Sequence, residues 1–429
     1  MPSLTVSEIS TILKHSGENT LLCYLDELED HFIAREPNVL AFVPEDGRFE
    51  RLRREARELW ARYPDPAKRP VLFGVPVGVK DIFHVSDFIT RAGSQVPPVV
   101  LEGDEARSVY HLKKAGALIM GKTVTTEFAY FAPGPTRNPH HRACTPGGSS
   151  SGSAAAVGAN ICPLTLGTQT IGSITRPAAF CGVAGYKPTY NRISCAGVIP
   201  LSPSVDHVGV FARDVEAVAL AAAVLVDKWM HHTGAASPRL GIPDGTYLHH
   251  VTAEGQAHFS ETSARLVDAG FAIKTIAAMP DFPDICDRHN LLVAAEAAQV
   301  HMQWFAQYGE LYHAKTAFLI QRGQKVSPQE LTAAVVGREQ LRSELVKLMD
   351  ENSIDLWISP SAPGVAPVGL DSTGDPVMNL PWTHSGLPTI GLPSGTDATG
   401  KSFGLQLAAR FGADEMLLEW AARIEEVLQ

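Results

Sequence analysis

Hydrophobic and polar positions alternate along the chain with periods that change from helical to extended and back. Within residues 4–35, leucines and isoleucines recur at helical spacing, and residues 47–62 combine a strongly charged face with an apolar one. The β-branched run over 71–83 predicts a buried strand that ends at Lys80 and Asp81. The N-terminal part therefore predicts helices that lead into one buried strand.

The rest of the chain continues this alternation. A segment rich in Pro, Gly and Ser over 132–152 interrupts it, and long irregular segments inside compact domains are usually functional. Short strands and turns are predicted over 181–211, and loops over 361–400. Further helices are predicted over 105–118, 151–159, 213–225, 251–269, 290–308, 328–350 and 414–428, and further strands over 119–123, 162–170, 239–243, 271–276, 354–360 and 403–409. This alternation predicts an α/β fold, and without a repeat or a clear linker we expect a single domain over 1–429.

Composition and charge narrow the class of protein. The chain has 429 residues, of which 45% are hydrophobic, and its net charge is -10. An acidic chain lacks the basic patch that a nucleic-acid surface needs. We find no signal peptide and no uncharged apolar run of about 18 residues, so we expect no membrane segment. Six cysteines without a C-x-x-C pair are typical of reduced thiols, which favours a cytoplasmic location.

Three segments carry residues that are suited to nucleophilic catalysis. Lys80 ends an apolar strand, where partial desolvation favours the neutral amine that can act as a base toward a serine. Ser173 follows Gly172 on a turn after a predicted strand, where several backbone N–H groups can point toward one oxyanion. Ser149 lies in a second Gly- and Ser-rich turn. Each segment alone is a weak signal.

Other motif matches are less convincing. Residues 116–123 satisfy the P-loop pattern, but the residues between the two glycines predict a strand instead of a phosphate-binding loop. Residues 148–152 match the G-x-S-x-G elbow, which requires a preceding strand that is missing here. The histidine pairs begin at His140, His231 and His249, and neighbouring histidines rarely bind one metal ion. We therefore expect no metal site.

Taken together, the three segments resemble the amidase signature family. The matching blocks are Gly-x-Pro-x-x-x-Lys-Asp at 74–81, Gly-Gly-Ser-Ser at 147–150 and Gly-Thr-x-x-x-Gly-Ser at 167–173. Their order and spacing fit the family, and the resemblance covers most of the chain, most strongly over 71–215. It implies the family's fold, which is a central mixed β-sheet flanked by helices on both faces.

The resemblance also implies catalytic roles for individual residues. Ser173 would be the nucleophile, Ser149 the bridging serine that follows a cis peptide bond in the family, and Lys80 the neutral base. The oxyanion would be held by the backbone N–H groups of Thr170, Ile171, Gly172 and Ser173. Substrate contacts are expected from Gly147, Gly148, Phe128, Tyr130 and Arg176.

Two positions depart from the family's pattern. Ile171 stands where members often have glycine, so a side chain crowds the turn although the backbone N–H remains. Thr175 replaces the common arginine two residues after the nucleophile, and Arg176 follows it. Some members with this shift use the arginine against a substrate carboxylate, and a structural ion pair is the alternative.

The expected activity is that of an amidase-type serine hydrolase. It would cleave C–N bonds of amides, aryl amides or carbamates (urethanes), other than peptide bonds, through an acyl- or carbamoyl-serine, with esterase activity on the side. We expect no cofactor, a small-molecule amide or carbamate as the partner, and neither nucleic acid nor membrane; a homodimer is left open. Two alternatives remain: the glutamine-hydrolysing subunit of a tRNA-dependent transamidation complex, and a catalytically inactive binding protein on the same fold.

Overall fold

The computed structural model describes residues 4–230, 234 and 236–429, which form ten strands and fourteen α-helices. The strands are β1 (Pro76–Lys80), β2 (Leu118–Thr123), β3 (Leu164–Gln169), β4 (Ala184–Lys187), β5 (His207–Ala212), β6 (Leu240–Asp244), β7 (Ile273–Ala277), β8 (Leu356–Pro360), β9 (Thr389–Thr396) and β10 (Ser402–Ala408). The helices are α1 (Val6–His15), α2 (Glu18–Val39), α3 (Arg48–Arg62), α4 (Arg107–Lys114), α5 (Ser151–Gly158), α6 (Thr175–Cys181), α7 (Val215–Leu225), α8 (Ala253–Asp268), α9 (Phe282–Val300), α10 (Met302–Tyr308), α11 (Ala314–Gly323), α12 (Pro328–Asn352), α13 (Leu380–His384) and α14 (Asp414–Leu428).

All ten strands belong to one mixed sheet, in the order β2-β1-β3-β5-β4-β9-β10-β8-β6-β7. Strand β1 runs parallel to β2 and β3, and β6 runs parallel to β7 and β8. The strands between β3 and β8 pair in antiparallel fashion. The prediction of an α/β fold with a mixed central sheet and flanking helices is confirmed.

The parallel pair β1–β3 determines where the segments predicted to be catalytic meet. Every residue of β1 is buried, which fits its run of apolar residues. Strand β3 is equally buried and ends at Gln169. Because neighbouring parallel strands end at the same edge of a sheet, Lys80 and the turn after Gln169 lie on one side of the molecule.

Several predicted elements have different boundaries in the structure. The helix expected over 4–35 is two helices, since the first ends at a cap on Ser16 and the second begins after Gly17. The first helix opens with a capping box between Thr5 and Glu8. The predicted loops over 361–400 contain helix α13 and strand β9, because pairing with β4 and β10 stabilises a strand whose Pro and Gly content disfavours one.

The structure excludes both a P-loop at residues 116–123 and a nucleophile elbow at residues 148–152. Residues 118–123 form strand β2, so the P-loop match contains no phosphate-binding loop. Its lysine, Lys122, is buried and pairs with Asp81 at 2.9 Å. In the elbow match, Ser150 lies at the N-terminus of α5 after an irregular segment, instead of following a strand.

Three further expectations concern membrane-spanning helices, metal sites and the number of domains. Across the described ranges, no helix combines the length and apolarity that a membrane crossing requires. Nor does that part of the chain place three or more His, Cys, Asp or Glu side chains where they could hold a metal ion. The pair His231–His232 lies outside the described residues. The single-domain organisation stays a prediction.

Candidate active site

Lys80 is the last residue of β1, and its side chain is completely buried. The Lys80 amine lies 2.7 Å from Ser149 Oγ and donates a hydrogen bond to Thr168 Oγ1, also at 2.7 Å. Burial lowers the pKa of Lys80 well below its ordinary value, and the nearby Asp206 carboxylate offsets part of that effect. This shift favours the neutral amine, which is the form that can accept a proton.

Ser149 is fixed by the loop that leads into α5. The peptide bond between Gly148 and Ser149 is cis. Gly147 has a positive φ of 80°, and a Cβ there would lie only 2.7 Å from Pro177 Cα, so the loop packs closely on the start of α6. The next residue, Ser150, donates to the carbonyl of Thr168 at 3.1 Å and accepts from its N–H at 3.2 Å. These contacts tie the loop to strand β3.

Ser173 lies on the turn between β3 and α6, which we call the nucleophile turn (residues 170–174). Ser173 is 7% exposed, so a small part of the residue remains accessible to solvent. Among the described residues, none accepts a hydrogen bond from the backbone N–H groups of Ile171, Gly172 or Ser173. With Thr170, these are the four residues predicted to form the oxyanion hole, and three adjacent N–H groups remain available for a ligand.

A glycine is required at position 172 by close packing. A Cβ on Gly172 would lie 2.3 Å from Asn379 Oδ1 and 2.9 Å from Pro376 Cβ. Asn379 cannot easily retreat, because its Nδ2 donates to Ser361 O at 2.8 Å and to Gln406 Oε1 at 3.0 Å. The segment before and within α13 therefore sets the position of the nucleophile turn.

Two aspartates hold neighbouring loops in place. Asp206 is half-buried and accepts hydrogen bonds from Thr170 Oγ1 at 2.5 Å and from the N–H groups of Leu201 and Ser202. Its burial raises the pKa of the carboxyl to about 6, although these hydrogen bonds oppose the shift. Asp81, which follows Lys80 in the chain, forms the buried ion pair with Lys122.

Of the two aromatic residues predicted to contact substrate, Phe128 is buried among other rings and Tyr130 lines a cavity. Phe128 is 1% exposed and stacks on Trp304 and Tyr312, with ring centroids 6.2 and 5.2 Å away. Tyr130 lines a cavity of about 400 Å³, whose other lining residues are Phe131, Lys315, Phe318, Ser372, Thr373, Gly374 and Pro376. Substrate contact by Phe128 and Tyr130 stays a prediction.

Arg176 connects the loop of Ser149 to the segment opposite. Its guanidinium donates to Gly148 O at 2.6 Å, to Gly374 O at 2.8 Å and to Thr373 Oγ1 at 3.2 Å. Burial lowers the pKa of Arg176 to about 9. Arg176 therefore holds the carbonyl of Gly148, the residue before Ser149. Its contact with a substrate carboxylate stays a prediction.

A second cavity, of about 260 Å³, opens beside the buried lysine. Two of its lining residues are Thr168, which binds the Lys80 amine, and Thr170 of the nucleophile turn. The rest of the wall is mostly apolar and comprises Ile82, Ala129, Cys195, Val198, Ile199, Pro200, Leu201, Pro203 and Asp206. An uncharged group would fit in this cavity, next to Thr168 and Thr170.

Sequence reasoning missed two polar residues that contact the nucleophile turn. Gln169 accepts hydrogen bonds from the N–H groups of Ile174 and Thr175 and donates to Thr383 Oγ1 at 2.9 Å. Thr383 in turn donates to Ile171 O at 2.6 Å. No local pattern could reveal this contact, because the two side chains are 214 residues apart in the chain.

Comparison with known proteins identifies the family. The family model described as Amidase matches residues 46–418. The chain belongs to the amidase family. Among solved structures, one described as the crystal structure of an amidase is 29% identical, with a TM-score of 0.89 over 99% of this chain and all of the other. A second, from a vestigial protein complex that reveals the evolutionary origins of an s-triazine catabolic enzyme, is 26% identical, with a TM-score of 0.87 over 99% of this chain and 98% of its own.

This amidase-family chain is a hydrolase of C–N bonds, as the resemblance predicted. One curated relative, from Roseiflexus sp. (strain RS-1), is a subunit of glutamyl-tRNA(Gln) amidotransferase. It is 30% identical, over 97% of this chain and 94% of the relative. A relative with the same name, from Roseiflexus castenholzii, is also 30% identical, over 99% and 98% of the two chains.

The predicted partners require a correction. We expected a small-molecule amide or carbamate alone, with no nucleic acid and at most a homodimer. The relatives contradict this, because their name describes one subunit of an amidotransferase and includes a tRNA. Net charge describes only the chain that carries it, so the composition could not reveal partner chains.

Proposed function

We propose that this amidase-family chain hydrolyses an amide through a covalent acyl intermediate on Ser173. One observation carries the proposal: a fully buried amine, Lys80 Nζ, lies 2.7 Å from Ser149 Oγ at the end of a central strand. A lysine whose pKa is lowered by burial is a competent base toward a hydroxyl. Ser149 then serves as the bridge between Lys80 and the nucleophile.

The steps follow from these positions. Ser173 Oγ bonds to the amide carbon while its proton passes through Ser149 to Lys80. The negative charge on the carbonyl oxygen is stabilised by the free N–H groups of the nucleophile turn. Protonated Lys80 returns the proton through Ser149 to the leaving nitrogen, and the C–N bond breaks. Water then attacks the acyl-serine and the same relay accepts its proton, which releases the acid and restores Ser173.

The first candidate for the biological setting is the amide-hydrolysing subunit of an amidotransferase. It is supported by relatives with that name, which align with nearly the whole chain at 30% identity. In this setting glutamine would be the amide that is hydrolysed, and partner chains would use the ammonia to amidate a tRNA-linked substrate. The net charge of -10 fits a subunit that leaves the tRNA contacts to its partners.

A second candidate is hydrolysis of aryl amides or carbamates (urethanes). It is supported by the largely apolar wall of the 260 Å³ cavity, in which Asp206 is the single charged residue and already accepts three hydrogen bonds. A zwitterionic amino acid would gain little from that wall. Carbamates would follow the same steps through a carbamoyl-serine.

One set of assays separates these possibilities. The purified chain is given glutamine, 4-nitroacetanilide and an aryl carbamate, first alone and then with the partner subunits of an amidotransferase. Glutamine hydrolysis that appears only with the partners supports the first candidate, and aryl hydrolysis by the chain alone supports the second. If Ser173→Ala is as active as the wild type on each substrate, or if a fluorophosphonate fails to label the wild type, the acyl-serine proposal is wrong.

A further inference from the structure

We propose that Gln169 and Thr383 are positioning residues that orient the oxyanion-binding N–H groups of the nucleophile turn. The inference rests on the proposed role of Ser173 as the nucleophile. Both side chains are completely buried. Their hydrogen bonds fix the backbone of the turn on both sides of Gly172 and Ser173.

The direction of each hydrogen bond in this network follows from the chemistry of the groups. The N–H groups of Ile174 and Thr175 can only donate, so the Gln169 oxygen must accept them, at 2.7 and 3.0 Å. The Gln169 amide nitrogen therefore faces Thr383 and donates to its hydroxyl oxygen at 2.9 Å. The hydroxyl proton of Thr383 must consequently point to another acceptor.

Two carbonyl oxygens compete for that single proton. Ile171 O lies 2.6 Å from Thr383 Oγ1, whereas Asn379 O lies 3.2 Å away, so the shorter contact to Ile171 is favoured. The carbonyl of Ile171 is thereby held on the side of α13. In a trans peptide the C=O and N–H groups point in opposite directions, so the N–H of Gly172 points away from α13. That N–H group is one of those left free for a ligand.

The network therefore determines the direction of a donor that stabilises charge only in the transition state. Loss of the Thr383 hydroxyl would leave Ile171 O without its partner and allow the peptide plane to rotate. Substrate binding in the ground state depends little on this donor, whereas the tetrahedral intermediate depends on it strongly. A positioning role thus predicts a loss of kcat and an unchanged KM.

Thr383→Val tests this directly, because valine keeps the shape of threonine and removes the hydroxyl. With 4-nitroacetanilide as substrate we expect kcat to fall about tenfold to a hundredfold while KM changes less than about twofold. Thr383→Ser, which keeps the hydroxyl, should restore kcat to within about threefold of the wild type. The inhibition constant of phenylboronic acid, which forms a tetrahedral adduct on serine, should rise in parallel with the loss of kcat.

Gln169→Glu is the second variant, in case Thr383→Val does not fold. Its carboxylate has nearly the same shape but attracts the Thr383 proton away from Ile171 O, so the same loss of kcat is expected. The inference is overturned if a folded variant keeps wild-type kcat, or if Thr383→Ser is as impaired as Thr383→Val at the same melting temperature. These outcomes leave the proposed function intact as long as Ser173→Ala is inactive, whereas an active Ser173→Ala contradicts the function itself.

Discussion

Replacing Gly172 by alanine should displace the nucleophile turn without adding any polar group. The new methyl would lie 2.3 Å from Asn379 Oδ1, whereas ordinary contact begins near 3.4 Å, so something must move by about 1 Å. Asn379 is anchored by two hydrogen bonds of its own, to Ser361 and Gln406. The turn itself is therefore the part that shifts.

Two measurements give the size of the effect. A misplacement of about 1 Å at a catalytic group costs about a hundredfold in rate, so kcat on 4-nitroacetanilide should fall by that amount. Overpacking of a tight site typically lowers the free energy of unfolding by about 1–3 kcal/mol, which denaturant titration would detect. The control is Gly309→Ala, where the nearest atom is 3.7 Å away and the φ of -56° suits alanine.

The control should match the wild type in both activity and stability. If Gly172→Ala keeps its wild-type kcat while the protein is folded, the position of the nucleophile turn does not depend on the packing described above. If Gly309→Ala loses as much activity as Gly172→Ala, the effect belongs to glycine replacement in general and the reasoning is refuted.

Three further predictions concern Lys80, Asp206 and Arg176. Lys80→Met should lower kcat by about a hundredfold to ten-thousandfold in a steady-state amidase assay, because no other base among the described residues contacts Ser149; unchanged kcat would contradict the assignment. Asp206→Asn removes the carboxylate that raises the pKa of Lys80, so the acid limb of the pH–rate profile should move to lower pH. A move to higher pH would contradict this effect of Asp206 on Lys80. Arg176→Lys cannot reach Gly148 O and Gly374 O together, and urea unfolding should show a loss of about 1–3 kcal/mol.

Local patterns in the sequence were enough to predict the strand and the turns that carry the candidate site residues. The apolar run before Lys80 indicated a buried strand, and the structure has β1 ending at that residue. The motif spacing indicated Ser149 and Ser173, and the structure brings Ser149 into contact with the lysine. The catalytic roles of these residues stay predictions. The sequence therefore predicts the features that depend on short-range order, namely periodicity, glycine turns and motif spacing.

Long-range contacts account for most of what the sequence did not reveal. Thr383 is an ordinary threonine in a region predicted as loop, and only the fold brings it to Gln169 and Ile171. Arg176 binds Gly374, which is 198 residues further along the chain, so its structural contacts could not be distinguished from substrate binding. Strand β9 forms despite its Pro and Gly residues because two neighbouring strands pair with it.

The central claim is that a neutral Lys80 activates Ser173 through Ser149, and the pH dependence of Ser173 labelling by a fluorophosphonate tests it most directly. The base works only when unprotonated, so labelling should fall as acid protonates Lys80, with a midpoint well below the usual lysine pKa, because burial lowers the pKa of Lys80. A labelling rate that rises only near the ordinary lysine pKa of about 10.4, or a label on a serine other than Ser173, would contradict the account.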